Sequence, residues 1–175
     1  MPYKRLLFQI YFTFLIIALI SLSVITWYAR DLARDFYLKE TSNNLKNSAE
    51  LIKEQVLPII LQNQLDSLNL QVRKLDTLSD MRVTVILANG SVIADSRQDY
   101  NKMDNHSNRP EIIEALTDKI GTSRRYSHTI ELNLMYVAIP LFYNGEKIGV
   151  VRTALPINAI EETLSSIMNQ FIIAG

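Results

Sequence analysis

The clearest structural signal in the chain is "LMYVAIPLFYNGEKIGVVRTAL", residues 134–155. Two runs rich in β-branched and aromatic residues flank Asn144 and Gly145, and Asn-Gly between such runs is a strong signal for a β-hairpin. The same pattern occurs upstream, where "RVTVIL" and "VIADS" flank Asn89 and Gly90. With "RRYSHTIEL" as a further strand, these segments predict a five-stranded antiparallel sheet.

A heptad pattern precedes the strands. Leu38, Leu45 and Ile52 follow one another at intervals of seven residues, with Ser42 and Ala49 between them. This spacing predicts a helix with one apolar face. Two interpretations are open: the face packs on the sheet of its own domain, or it pairs with a second copy. We assign these five residues to a candidate homodimer seam.

Residues 6–28 contain no charged side chain. As a helix they reach about 35 Å, enough to cross a hydrocarbon core of about 30 Å. A cleaved signal peptide has a shorter apolar region and ends in small residues, which "TWYARDLARD" does not provide. We therefore predict an uncleaved membrane helix. Basic residues flank both of its ends, so counting charges does not decide its orientation.

Composition excludes several classes of protein. The 18 basic and 18 acidic residues balance, which gives no reason to expect a nucleic-acid partner. The chain has no cysteine, hence no disulfide framework and no cysteine-based metal site. We expect no metal and no cofactor in this chain.

The order of the elements predicts an α+β protein that begins with a transmembrane helix. A short helix is expected to start at Pro110 and a final helix at Pro156, because proline suits the first turn of a helix. Pro58 is expected to kink the long helix. The predicted segments are a cytoplasmic N-terminus (1–5), a membrane helix (6–28), a long helical segment (29–79), a sheet domain (80–155), and a helix leading into a truncated second membrane helix (156–175).

The polar stretch "DSRQDYNKMDNHSNRPEI", residues 95–112, is the candidate functional loop. Its acids, amides and single histidine favour turns and helix caps, and their spacing matches no established metal motif. A catalytic triad from Ser96, Asp104 and His106 has no supporting frame, so we predict no catalytic residue. His128 lacks the following acid and the nearby proline of a phosphoacceptor box, and we reject it as a phosphorylation site.

An ordered set of motifs carries a resemblance to a known family. The segments "GSVIADS", "MDNHSNRPEI..AL", "GTSRRYSHT", "MYVAIPL" and "IGVVRTALP" resemble the extracytoplasmic sensor region of PhoR-type two-component sensor histidine kinases. The resemblance covers nearly the whole chain. It implies a PAS-like fold of the single Cache (PDC) type, an N-terminus in the cytoplasm and a sensory domain outside the plasma membrane.

The resemblance also implies a function. The intact protein would transfer phosphate from ATP, with magnesium, to a cytoplasmic histidine and then to a response regulator, and phosphate or envelope status are the implied signals. None of those catalytic residues lies in this chain. Three alternatives stay open: a chemoreceptor, a cyclic-nucleotide signalling protein, or a stand-alone membrane-anchored binding or scaffold protein. The candidate residues for a small ligand or signal are Asp95, Ser96, Asn105, His106, Arg109, Arg125 and Tyr126.

Overall fold

The computed structural model describes residues 2–127 and 131–157. The predicted α+β class with a five-stranded antiparallel sheet is confirmed. A short 3-10 helix, Tyr100–Lys102, lies between the second strand and the third α-helix. The main elements are α1 (Pro2–Leu61), α2 (Leu65–Ser79), β1 (Arg82–Leu87), β2 (Val92–Asp95), α3 (Pro110–Leu116), β3 (Gly121–Ser127), β4 (Leu132–Tyr143) and β5 (Glu146–Pro156).

The strands lie in the order β2-β1-β5-β4-β3, and every neighbouring pair is antiparallel. The predicted β4–β5 hairpin is confirmed, with Tyr143 paired to Glu146 across the turn. Asn144 and Gly145 adopt φ values of 51° and 81°. Positive φ at both central residues matches a type I′ turn, whose twist suits a two-residue hairpin. Strand β5 lies at the centre of the sheet, between β1 and β4.

The chain divides into two compact units, Met1–Lys39 and Glu40–Gly175. In the first unit, the apolar side chains of residues 6–28 are exposed almost throughout. Its helix is long and apolar enough to cross a membrane by length and composition. Exposed leucine, isoleucine and phenylalanine side chains are unfavourable in water, but they match the hydrocarbon core of a bilayer.

The second unit contains the sheet, and its first apolar core lies on the face that α1 and α2 cover. Alternation along β1 directs Val83 and Val85 to this face, while Arg82 and Thr84 point to the other. Residues Ala49, Ile52, Val56, Leu68 and Val72 of the two helices pack there against Val83, Val85, Ile139, Leu141 and Val151 of the sheet.

The heptad face therefore packs inside its own domain. Leu45 and Ala49 are 0% exposed and Ile52 is 4% exposed within a single chain. The Thr153 hydroxyl donates a hydrogen bond to the Leu45 carbonyl oxygen at 2.9 Å, which ties α1 to β5. Ala49 and Ile52 pack against the sheet of their own domain, which favours the first of the two interpretations for these residues. Ser42 is half-buried and Leu38 is buried, and homodimerisation itself stays a prediction.

The structure changes two predicted helix boundaries. Helix α1 continues through Pro58 to Leu61, and the break to α2 follows, where Asn63 adopts a φ of 54°. The backbone N–H of Gln62 donates to the Pro58 carbonyl oxygen at 3.2 Å. Pro156 does not begin a helix, because it is the last residue of β5 and pairs with Leu134. The predicted final helix and second membrane segment lie outside the described residues, as does His128.

Truncating one leucine on each side of α1 tests which face carries the core. Leu45→Ala leaves a cavity against β5 and should lower the free energy of unfolding by about 2–5 kcal/mol. Leu51→Ala is the matched control, because Leu51 is 68% exposed, and its change should stay within about 0.5 kcal/mol. Denaturant unfolding of the full chain in detergent micelles, followed by circular dichroism, measures both. Equal costs for the two variants would contradict the packing described above.

Candidate functional site

The second face of the sheet has an apolar half and a polar half. Helix α3 covers the apolar half, where Ile112 and Ala115 pack against Ile86, Ala138 and Val150. The polar half extends beyond α3. Side chains from four strands meet there around a cavity, namely Arg82 (β1), Arg125 and Ser127 (β3), Tyr136 (β4) and Arg152 (β5).

The loop before α3 closes the cavity from above through His106 and Arg109. Hydrogen bonds to the β1–β2 turn hold the loop in place: the His106 N–H donates to the Gly90 carbonyl at 2.8 Å, and Asn105 Nδ2 donates to the Asn89 carbonyl at 2.9 Å. Gly90 has a φ of 85°, and a Cβ there would lie 2.3 Å from Asn105 Oδ1. The Asn89-Gly90 turn therefore joins β1 to β2 and also holds the loop that covers the cavity.

Glu111, in the first turn of α3, binds the floor of the cavity. Its Oε1 accepts hydrogen bonds from Arg125 Nη2 at 2.9 Å and Arg152 Nη1 at 3.2 Å, and its Oε2 accepts from Ser123 Oγ at 2.6 Å. The carboxylate is fully buried. Burial alone would raise the pKa of Glu111, but the bonds from Arg125 and Ser123 and the charge of Arg152 lower it to about 2. Gly121 allows this approach, since a Cβ there would lie 1.8 Å from the Glu111 carbonyl oxygen.

Asp95 forms the second buried ion pair. Arg82 Nε donates to both of its carboxylate oxygens, at 3.2 and 3.1 Å, and the Thr84 hydroxyl donates at 2.8 Å. Arg152 Nη2 donates to the same hydroxyl at 3.0 Å. Because Thr84 accepts from Arg152 and donates to Asp95, it connects the two ion pairs across β1 and β5.

Positive charge exceeds negative charge around the cavity. Four arginines line it, and among the described residues the carboxylates bonded to them are Asp95 and Glu111, so two positive charges are left over in that part of the chain. The Arg109 side chain forms no hydrogen bond or ion pair with any residue in the described ranges. The cavity has a volume of about 30 Å³. Since roughly 10–15 Å³ admits one water molecule, it has room for one small polar group.

Within residues 2–127 and 131–157, three buried guanidinium nitrogens at the site have no hydrogen-bond acceptor: Arg82 Nη2, Arg125 Nε and Arg152 Nε. Arg82 and Arg152 are each 2% exposed. An unpaired buried donor costs about 1–3 kcal/mol, and more when the group is charged. A site of this kind gains free energy when an anion enters and accepts these bonds.

His106 is neutral in this environment. Its Nδ1 lies 2.8 Å from the Asp104 carbonyl oxygen, which can only accept, so Nδ1 carries the proton. Burial and the charges of Arg152, Arg109 and Arg125 lower the pKa of His106 to about 4. Nε2 then has a free lone pair, and the ring adds no charge to the site near neutral pH.

The predicted site residues separate into three groups. His106, Arg109 and Arg125 line the cavity. Asp95 does not line the cavity but is bonded to Arg82, which does.

Ser96 and Asn105 act as structural residues outside the cavity. The Ser96 hydroxyl donates to Asp76 at 2.6 Å, and Asn105 braces the loop. Tyr126 lies on the opposite face of β3 from Arg125 and is 46% exposed. Among the described residues, no three carboxylate or histidine side chains meet in a metal-binding group.

Sequence reasoning missed Arg82, Glu111, Ser127, Tyr136 and Arg152. One signal was available for Arg152, because a charge inside the apolar run "IGVVRTAL" becomes buried if that run is a central strand. A buried arginine needs a carboxylate partner. The partner, Glu111, is separated from Arg152 by two strands, and no local pattern identifies it.

Comparison with known proteins gives the fold. No protein-family model matches the chain, and no curated protein matches it either. Among solved structures, the sensor domain of the V. cholerae histidine kinase DctB matches with a TM-score of 0.60 and 18% sequence identity, covering 76% of this chain and 54% of that one.

The ligand-binding domain of the Campylobacter jejuni chemoreceptor Tlp3, in complex with 4-methylisoleucine, matches with a TM-score of 0.62 and 14% identity over 76% of this chain and 57% of that one. The E. coli DcuS sensor domain matches with a TM-score of 0.62 and 14% identity, covering 77% of this chain and 98% of that one. The chain thus spans little more than half of the DctB and Tlp3 structures. These matches confirm the PAS-like fold of the PDC/Cache type.

The charge state of His106 predicts a specific loss of stability in mild acid. Because its folded pKa of about 4 is below the ordinary value near 6.5, the unfolded chain binds the proton first as the pH falls. Stability should therefore be complete above pH 7 and decline between about pH 6.5 and 4. Glu111 adds its own loss of stability only below about pH 4.5, since its folded pKa of about 2 is lower than its ordinary value.

Thermal unfolding of the full chain at a series of pH values, monitored by circular dichroism, measures this decline. His106→Asn keeps a donor for the Asp104 carbonyl and removes the titration, so its curve should be flatter between pH 6.5 and 4. An unchanged slope in this variant would show that another group causes the loss.

Proposed function

We propose that this chain is the sensory and membrane portion of a two-component sensor histidine kinase, with the arginine-lined cavity as its signal-receiving site. The observation that carries the proposal is a cavity whose wall has unpaired guanidinium donors and two uncompensated positive charges. The shared fold with the DctB histidine kinase sensor supports it. So does the apolar helix, which has the length and composition to anchor the domain in a membrane.

In this proposal, the sheet domain lies outside the plasma membrane and residues 6–28 cross it. The intact parent is a homodimer of the PhoR type, and its cytoplasmic part binds ATP and magnesium and passes a phosphoryl group to a response regulator. This chain contributes reception and transmission. Phosphate status or the state of the cell envelope is the signal that the sequence resemblance favours.

A polar connection from the cavity to helix α2 supports a transmitting role. Asp95, which holds Arg82, also accepts hydrogen bonds from the backbone N–H groups of Arg97 and Gln98, each at 3.0 Å. The Arg97 side chain then binds Asp76 on α2 through Nε at 2.9 Å and Nη2 at 2.9 Å. An anion that attracts Arg82 competes with Asp95 for it, and this competition biases the position of the segment that binds α2.

A chemoreceptor is the second candidate, and a specific observation favours it. The domain matches the Tlp3 structure as well as it matches the histidine kinase and DcuS sensor domains, with TM-scores between 0.60 and 0.62. The two functions require different cytoplasmic parts, a phosphoacceptor helix with an ATP-binding domain or a long signalling coiled coil. The sequence of the parent protein beyond residue 175 therefore discriminates between them.

Two adjacent arginines allow a matched test in the full-length parent, assayed in membranes for autophosphorylation from ATP. Arg125→Gln removes a hydrogen bond to Glu111 and a cavity charge, whereas Arg124→Gln changes an exposed residue on the other face of β3. A charged hydrogen bond is worth about 1.5–3 kcal/mol, enough to shift a two-state equilibrium about tenfold or more.

We expect Arg125→Gln to change basal or signal-induced phosphorylation while ATP binding stays normal, and Arg124→Gln to behave as the wild type. A parent protein that does not phosphorylate itself from ATP would overturn the histidine kinase assignment. Equal effects of the two substitutions would remove the cavity from the signalling role.

A further inference from the structure

The charged hydrogen-bond acceptors behind the cavity wall already accept bonds from neighbouring residues. Glu111 is the first of the two. Three donors surround its carboxylate, from Ser123, Arg125 and Arg152, and the side chain is 0% exposed. An incoming ligand reaches the arginines before it reaches Glu111. A positively charged group on the ligand therefore gains no ion pair with this carboxylate.

Asp95 is engaged in the same way. It accepts from the Arg82 and Thr84 side chains and from two backbone N–H groups, and it is also 0% exposed. A carboxylate with this many donors and no exposed surface has no vacant lone pair directed at the cavity. Neither acid that faces the arginines can hold an ammonium group.

The aromatic ring of the cavity is occupied as well. Tyr136 is buried, and the Arg125 guanidinium carbon lies 4.2 Å from its ring centroid while that of Arg152 lies at 4.9 Å. Aromatic faces are the other common site for an ammonium group in proteins. Here two guanidinium groups already take that position, so the ring offers no place for a ligand cation.

The groups that remain available are mostly donors. They are the guanidinium groups of Arg82, Arg125 and Arg152, each with one buried nitrogen that lacks an acceptor, and that of Arg109, which forms no bond within the described residues. The neutral acceptors at the cavity, such as His106 Nε2 and the Ser127 hydroxyl, carry no charge that would offset repulsion between the excess positive charge of the arginines and a ligand cation. This distribution favours an oxyanion and opposes any ligand with a positive group beside it.

We propose that the cavity selects small oxyanions without an ammonium group, recognised through a carboxylate or phosphate, and rejects amino acids. The inference rests on the proposed role of the cavity as a receptor site and names its ligand class. It separates this chain from structures of the same fold that hold amino acids, such as Tlp3 with L-valine and the Pseudomonas fluorescens chemoreceptor CtaA with L-serine. In this chain, the basis for rejecting an ammonium group is that Asp95 and Glu111 already accept bonds from their neighbours.

Pairs of ligands that differ by one ammonium group test the selectivity. Acetate is compared with glycine, succinate with aspartate, and 3-methylbutanoate with L-valine, and inorganic phosphate forms a separate arm. Binding to the full chain in nanodiscs is measured by calorimetry at pH 7. At least one oxyanion should bind at least about tenfold more tightly than its amino-acid counterpart, or phosphate should bind while all three amino acids do not.

The arginine variants locate the binding. Arg109→Gln should weaken the oxyanion at least about tenfold, because it removes a free charge from the cavity, and Arg124→Gln should leave the affinity unchanged. Arg109 forms no described side-chain bond, so its substitution does not break the buried ion pairs. Succinate or acetate binding without phosphate identifies a carboxylate ligand, and the reverse identifies phosphate.

Two results would overturn the proposal in different ways. An amino acid that binds as tightly as its deaminated counterpart would overturn the selectivity while leaving a receptor site in place. The second result is that no probe binds at concentrations up to about 10 mM. Binding would then be weaker than a millimolar Kd, which corresponds to a binding free energy of about −4 kcal/mol. This result would overturn both the selectivity and the receptor role of the cavity.

Discussion

The buried pair between Arg152 and Glu111 is the interaction on which the rest of the site depends. Arg152 lies in the central strand β5, is 2% exposed, and has neighbours on both sides in the sheet. Removing one partner of such a pair costs about 3–5 kcal/mol, because it leaves the other charge buried and unpaired. The pair fixes α3 over one half of the sheet, and the loop before α3 then reaches over the other half. The cavity is the space that this arrangement leaves between loop and strands.

The cavity is positive because the described carboxylates balance only part of the arginine charge. Glu111 compensates one charge and Asp95 compensates another, while Arg109 and one further guanidinium charge have no counterpart. A wall of this kind is costly to maintain in the absence of an anion, since burial of uncompensated charge is unfavourable. Its presence supports the proposal that the cavity binds an anion. His106 stays neutral beside it because burial lowers the pKa of the ring and the neighbouring arginine charges lower it further.

The fold could be predicted in large part because its signals are local. Asn144-Gly145 specifies a hairpin through backbone conformation alone, and Pro110 begins α3 as expected. The heptad face shows the limit of periodicity, because the same pattern suits a partner helix or the domain's own sheet. Packing of Ala49 and Ile52 against the sheet favours the domain's own sheet for these residues. Helix α1 ends at Leu61 in a local capping motif, in which Asn63 is left-handed and the Gln64 N–H donates to the Ile59 carbonyl oxygen.

The site was harder to predict because it is assembled across the sheet. His106, Arg109 and Arg125 were identified from polar segments, but Arg152 and its partner meet only after β5 and α3 have packed.

A crystal structure of the protein grown with succinate, acetate or phosphate, whichever binds most tightly, tests the central claim most directly. The account predicts an anion in the cavity with its oxygens about 2.7–2.9 Å from the nitrogens of Arg82, Arg125 or Arg152 that now lack acceptors. An anion bound elsewhere, with those nitrogens still unpaired, would contradict it.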